Sequence, residues 1–305
     1  MENSRPVYLQ AMPEDNDMVS GRFPPQRVRV EPTDSINMLI RSEDRSYGND
    51  FDFQINLLTS SAHIRKIQMA KCMLPLIPQI NVHNRSITVT HADGTVTFNL
   101  IEGYYSVQAL VNMMQSTFLA AWVSLDATNS VTISYDIERR SISITDDNGE
   151  NFFIHNDSPF AIYARNVVNF PTEAPGSTPS TSSIESTSLG MIYSRYVIVS
   201  SKRLIEDQKA YSVVSNKGPL DIIAIIDLAS KYTEAQFAVS TSFPGTDVVI
   251  DTLEYSPRIN LLNRNKSLKV IDFTLEDEYG FKLSELNTSS YTFQYPVTMW
   301  FQCYL

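Results

Sequence analysis

The chain has 305 residues and a formal charge of −10, with 24 Lys and Arg against 34 Asp and Glu. That balance excludes a dedicated nucleic-acid binder, which needs a basic face to displace counterions, and two cysteines exclude a disulfide framework of the secreted kind. Charged residues make up only 19% of the chain, below the roughly 25% of an average soluble domain; such depletion fits either a surface that meets partner subunits or an ordinary polar monomer.

Residues 1–34 read as an extended arm. Pro6, Pro13, Pro24, Pro25 and Pro32 punctuate it, and proline neither donates to a ladder nor continues a helix. Arg5, Arg22, Arg27 and Arg29 are offset there by Glu2, Glu14, Asp15 and Asp17, so the arm is not a basic genome-binding tail. It also lacks the basic and apolar regions of a signal peptide, and no run approaches the ~20 apolar residues that span a bilayer. Strands are predicted at 36–41, 51–57 and 64–76, the last ended by Pro75 and Pro78.

From Asn81 the pattern changes. Ile87 and Val89 alternate toward a turn at 91–94, and Val96, Phe98 and Leu100 alternate away from it, the signature of a hairpin. Ser106 then caps an amphipathic helix carrying Val107, Leu110, Val111, Met114 and Phe118 at helical spacing. A second hairpin at 131–135 and 141–144 follows, and Asn148 and Gly149 turn the chain into 152–154. Residues 81–170 therefore read as a small α+β domain. The tract at 171–188 is rich in Ser, Thr and Pro and reads as a linker or exposed loop.

Strands resume at 192–200, 220–228, 237–243, 247–253 and 268–275. In the last, Leu268 and Val270 share one phase and Ile271, Phe273 and Leu275 the other, which predicts a bulge or burial on both faces. The terminal stretch, 291–305, alternates cleanly: Tyr291, Phe293, Tyr295, Val297, Met299, Phe301 and Cys303 point to a core. Trp300 and Tyr304 lie on the opposite face, where exposed aromatics on a strand are costly unless a neighbour covers them. These two are the candidate subunit-interface residues. Cys72 and Cys303 sit in apolar strand patterns and read as buried free thiols, with their pairing left open.

Together the elements predict an all-β chain: a single jelly-roll sandwich from 35–80 and 189–305, with the 81–170 domain inserted in one of its loops. No catalytic residue, cofactor site or metal site is expected. His63, His83, His91 and His155 have no ligand spacing, while Glu276-Asp277-Glu278 and Asp146-Asp147 flank turn signals where acidic residues are ordinary loop chemistry. Glu102-Gly103 has no phosphate-loop context, and no nucleophile-elbow or zinc-protease motif is present. Trp122 and Trp300 are too separated to form a sugar platform.

Three groups of residues carry a family resemblance: Lys66-Ile-Gln-Met-Ala-Lys-Cys-Met-Leu-Pro-Leu-Ile-Pro with Asn81; Asn99-Leu-Ile-Glu-Gly-Tyr-Tyr-Ser at the helix start; and Pro257-Arg-Ile-Asn with Leu275-Glu-Asp-Glu-Tyr-Gly. Read together, from Ile36 onward, they resemble the penton (minor capsid) proteins of virophages and Polinton-type viruses. The resemblance implies a structural role in the virion, not an enzyme: a homopentamer at each fivefold vertex, assembled in the host cytoplasm. It implies the major capsid protein as partner, with the inserted domain outermost and free to meet a host receptor. A receptor- or carbohydrate-binding sandwich and a hydrolase on a β-scaffold are the alternative functions.

Overall fold

The computed structural model describes residues 35–57, 66–74, 77–205, 212–215, 218–228, 248–251, 259–260, 270–286 and 297–304. The arm at 1–34, the strand expected at 237–243 and the start of the terminal stretch, 291–296, lie outside them.

Among the described residues eight strands build the sandwich: β1 (Ser35–Arg41), β2 (Asp52–Asn56), β3 (Lys66–Leu74), β4 (Tyr196–Ser200), β5 (Gly218–Asp227), β6 (Val248–Asp251), β7 (Val270–Asp277) and β8 (Thr298–Tyr304). One sheet runs β1-β8-β3-β6 and the other β5-β4-β7-β2, with the short strands Ile259–Asn260, Ser212–Ser215 and Tyr47–Gly48 added at the margins. The pairing follows one rule. First meets last, second meets seventh, third meets sixth and fourth meets fifth, each antiparallel. That is the connectivity of a hairpin of four strands per arm rolled upon itself, a jelly roll. It agrees with the fold class expected from the sequence.

Period-two alternation decides which faces meet. Met299, Phe301 and Cys303 of β8 and Ile271, Phe273 and Leu275 of β7 are all buried, and slipping either strand by one residue would turn them all to solvent. Phe53 packs on Phe273 at 5.4 Å, and Phe273 on Phe301 at 5.6 Å, so one aromatic ring joins the two sheets. Over the described residues, outside which Leu268 lies, β7 shows neither the bulge nor the two-faced burial expected from its sequence. It alternates regularly from Val270 to Asp277 with continuous register, because Val270 belongs to the outer face. The irregularities lie elsewhere: β8 shifts register against β3 between Trp300 and Phe301, where Ala70 is left over, and β4 shifts against β5 at Ser200.

Both cysteines are free and buried. Cys72 stands opposite Met299 while Cys303 stands opposite Ile67. They are thus about 15 Å apart along the ladder at the rise of a strand, far beyond the ~7 Å that a disulfide bridges.

Between β3 and β4 the chain builds a second lobe. Ser86–His91 pairs with Gly94–Asn99 and with Phe152–His155 in one sheet, and Val131–Asp136 pairs with Ser141–Asp146 in another. The helix Val107–Leu125 is capped by the Ser106 hydroxyl, which accepts from Ala109 N–H. Its inner face places Phe118 and Trp122 against Phe98 and Phe152 at 4.9 and 5.4 Å. Among the described residues no helix is long and apolar enough to cross a membrane.

The 171–188 tract, expected as a linker or exposed loop, runs over the surface but pairs in short strands. Thr172–Glu173 pairs in parallel with Phe152–His155, Ser183–Glu185 pairs with Ser141–Asp146, and Ser188–Leu189 pairs with Val168–Asn169. Ile184 supplies the buried anchor at 6% exposure. A hydroxyl-rich strand needs few apolar residues when its backbone is satisfied by a sheet edge, and composition alone does not report that edge.

Removing the ring that joins the sheets tests this core. Phe273→Ala is expected to cost about 3–5 kcal/mol, read as a lowered midpoint in chemical denaturation; a cost below about 1 kcal/mol would mean the sheets do not meet there.

Candidate functional site

On the outer face of the β1-β8-β3-β6 sheet, Trp300 stands between Leu39 of β1 and Lys71 of β3 in direct register. Leu39 is 45% exposed and Trp300 is half-buried. The next row is Asn37, Gln302 and Gln68, and the row beyond places Thr298 beside Arg41 and Met73. Leu39 and Trp300 thus form an apolar pair bounded by the exposed Lys71 in their own row, with amides in the row on one side and the exposed Arg41 in the row on the other. Trp300 is therefore on the outward face, as its phase requires. Tyr304 pairs through its backbone with Ser35 and Lys66, and its side chain lies outside the described residues. The outer face of the second sheet carries Ile225 opposite Ile198, and Tyr196 opposite Asp227; Ile225 and Tyr196 are each 41% exposed.

The second region is the seam between the sandwich and the inserted lobe. Asp277 ends β7 fully buried. Its Oδ1 accepts the backbone N–H of Tyr279 at 2.9 Å and of Phe281 at 2.8 Å, and its Oδ2 accepts the Tyr193 hydroxyl at 2.7 Å. Gly280 takes φ +80° in this turn, a left-handed conformation that costs glycine nothing. Glu278 accepts from the Asn166 amide and from Arg195 N–H. The His83 ring stacks on Phe281 at 3.9 Å, and Tyr163 meets Tyr279 and Phe281 edge-on at 5.3 and 5.1 Å. The 277–281 turn is thus gripped by residues of the lobe. Burial pushes the Asp277 carboxyl up to about 6, with the Glu278 charge adding to it, against the Tyr193, Phe281 and Tyr279 hydrogen bonds that favour the ionised form.

Asp146 repeats the device inside the lobe. Its Oδ1 accepts N–H from Asn148 and Glu150, its Oδ2 accepts the Trp122 indole N–H at 2.8 Å, and His91 Nε2 lies 3.1 Å from the same oxygen. Burial works to raise its pKa, but these hydrogen bonds and the nearby His91 outweigh burial and hold the carboxyl below its ordinary value. Both acidic segments were expected as loop chemistry, and both do form turns. The sequence reading missed that one carboxylate in each is buried. The available signal was the shared spacing Asp146-x-x-Gly149 and Asp277-x-x-Gly280 at the end of an apolar strand.

For nucleophilic chemistry the nearest arrangement is Thr90 Oγ1 at 2.7 Å from His155 Nε2. His155 Nδ1 lies 3.7 Å from Asp157, beyond hydrogen-bond length. Among the described residues no carboxylate lies within hydrogen-bond length of that imidazole to orient it as a general base needs.

No protein-family model matches the chain, and no curated protein matches it. Among solved structures the chain is similar to the mavirus penton protein, with a TM-score of 0.46 and 9% sequence identity over 90% of this chain and 99% of that one.

The Asp277 seam has a pH signature. Because folding raises this carboxyl from 3.8 to about 6, its contribution to stability is complete below about pH 4 and lost as pH rises through about 6, on the order of 2–3 kcal/mol. Asn cannot ionise, so the stability of wild type relative to Asp277→Asn should fall by that amount between pH 4 and 7 in denaturant titrations. A difference that stays flat across this range would refute the raised pKa.

Proposed function

We propose that the chain is a structural capsid protein that forms the pentameric vertex of an icosahedral particle. The observation that carries this reading is the outward face of the β1-β8-β3-β6 sheet, where Leu39 and Trp300 sit side by side between Lys71 and the amides of Asn37 and Gln302. A soluble jelly roll with no partner gains nothing from a tryptophan there, whereas a ring of copies covers it. The motif resemblance of 66–78, 99–106 and 275–280 supports the penton assignment. The jelly-roll connectivity supports it more weakly, since that architecture also serves lectins and cupins. Trp300 and Tyr304 are the proposed interface residues, the major capsid protein the second partner, and the virion the site of action.

The 81–170 region is proposed as an independent insertion pointing outward, with the 171–188 tract completing its sheets. Replacing 77–189 by a short Gly/Ser bridge should leave a β-rich remainder with a cooperative melt. An aggregated remainder would show that the lobe is part of the sandwich's own core.

A second reading, of the lobe as a receptor- or glycan-binding head, is favoured by its paired hydroxyls. Thr88 and Thr97, Thr90 and Thr95, Ser134 and Ser143, and Thr145 and Ser183 lie 2.8–2.9 Å apart on exposed faces. This uncharged surface suits hydrogen bonding to a neutral ligand, and glycan-array binding by the full chain that is lost on Thr88→Val with Thr97→Val would support it.

The pentamer is tested by sedimentation. Covering one large aromatic recovers about 2 kcal/mol, so Trp300→Asp should weaken the ring by roughly 30-fold per contact while circular dichroism shows a folded subunit. A wild type that stays monomeric at every accessible concentration and never enters particles made with the major capsid protein would overturn the vertex reading.

A further inference from the structure

We propose that His91, Asp93 and Glu150 bind a divalent transition-metal ion, tying the turn after Ser86–His91 to the turn after Ser141–Asp146. The inference rests on the inserted lobe alone and is independent of the capsid reading. Each of the three residues offers one donor atom, and the three atoms lie within 4.8 Å of one another.

The imidazole decides between a metal and an ordinary ion pair. The His91 side chain is fully buried. The backbone N–H of Asp93 points at Nδ1 from 3.3 Å, and a backbone N–H only donates, so Nδ1 is the acceptor nitrogen. The proton then sits on Nε2, directed at Asp146 Oδ2 at 3.1 Å. Trp122 holds that carboxylate from the other side. A histidine whose far nitrogen donates to a fixed carboxylate, with its near lone pair held only by a long 3.3 Å contact, has the support found behind metal-ligating imidazoles.

Nδ1 faces negative charge. Asp93 Oδ2 lies 3.4 Å from it, and the Glu150 carboxylate completes the group. Two carboxylates within 4.8 Å of one another and of the imidazole nitrogen favour a cation held between them. A proton on Nδ1 would serve electrostatically but would confront the Asp93 N–H. A metal ion takes the lone pair itself, in place of the long 3.3 Å hydrogen bond. Asn129 Nδ2 donates to Asp93 Oδ2 at 2.8 Å and steadies that ligand. Metal–donor bonds of about 2.0–2.2 Å set the donors about 3–3.5 Å apart, so binding draws the partly exposed Glu150 inward. One imidazole with two carboxylates suits Zn²⁺ or Mn²⁺ better than Ca²⁺, which takes six to eight oxygens.

The test uses the full chain, stripped with chelator and dialysed against Zn²⁺, with Ca²⁺ in parallel. Wild type should retain one more equivalent of Zn²⁺ than Asp93→Asn/Glu150→Gln and gain several degrees in melting temperature with Zn²⁺ but not Ca²⁺. Sites elsewhere, such as His83 or His155, contribute equally to both proteins and cancel. Glu150→Gln alone, at a partly exposed turn position, keeps the comparison valid if the double variant misfolds by circular dichroism; it should lose at least tenfold in Zn²⁺ affinity. Equal stoichiometry and equal melting shifts in wild type and variants, or no Zn²⁺ uptake by the wild type at a few hundred micromolar, would overturn the proposal.

Discussion

Everything in the sandwich depends on β8 lying between β1 and β3. The strand pairs on both edges, with β1 from Thr298 to Tyr304 and with β3 across the same span, so the last described strand is interior to its sheet. A strand in that place satisfies its own backbone and that of two neighbours some 230 and 260 residues away in sequence. It also fixes Phe301 against Phe273, the contact between the sheets. The first-to-last pairing of the other strands nests inside this one, and such long-range closure is entropically slow to form.

The same end of the chain generates the surface assigned to assembly. Because the pleat alternates, the strand that drives Met299, Phe301 and Cys303 into the core must present Trp300 and Gln302 outward. The leftover Ala70 at the β3 register shift switches the alternation of β3, so that Ile67 and Met69 before it and Cys72 and Leu74 after it are all buried. Core and outer face are two consequences of one periodicity.

Asp146 and Asp277 show how this chain ends strands at crowded positions. Each carboxylate accepts two backbone N–H groups of the turn it starts and one buried aromatic donor, Trp122 or Tyr193. The environments then diverge. At Asp146 the hydrogen bonds and the nearby His91 outweigh burial, whereas burial raises the Asp277 carboxyl, with the Glu278 charge adding to it. One stabilises the lobe's interior as an anion, and the other leaves the seam between lobe and sandwich sensitive to pH.

The sandwich strands were legible in the sequence through the alternation of 36–41, 51–57 and 297–304, and the inserted lobe through the Ser106 cap and the turns at 91–94 and 148–149. These depend on neighbours two to four residues apart, and tertiary packing selected them without altering them. What sequence could not decide required partners far along the chain. The 171–188 tract looked like a linker because its strands borrow a sheet edge formed by 141–155. His91 looked like a turn residue because the carboxylate and indole that bury it come from 146 and 122. Asp277 looked like loop chemistry because its burial is supplied by Tyr193 and the lobe. Periodicity sets which way a side chain points, but only the closed structure sets what it meets, since burial and charge are properties of the surroundings and not of the residue.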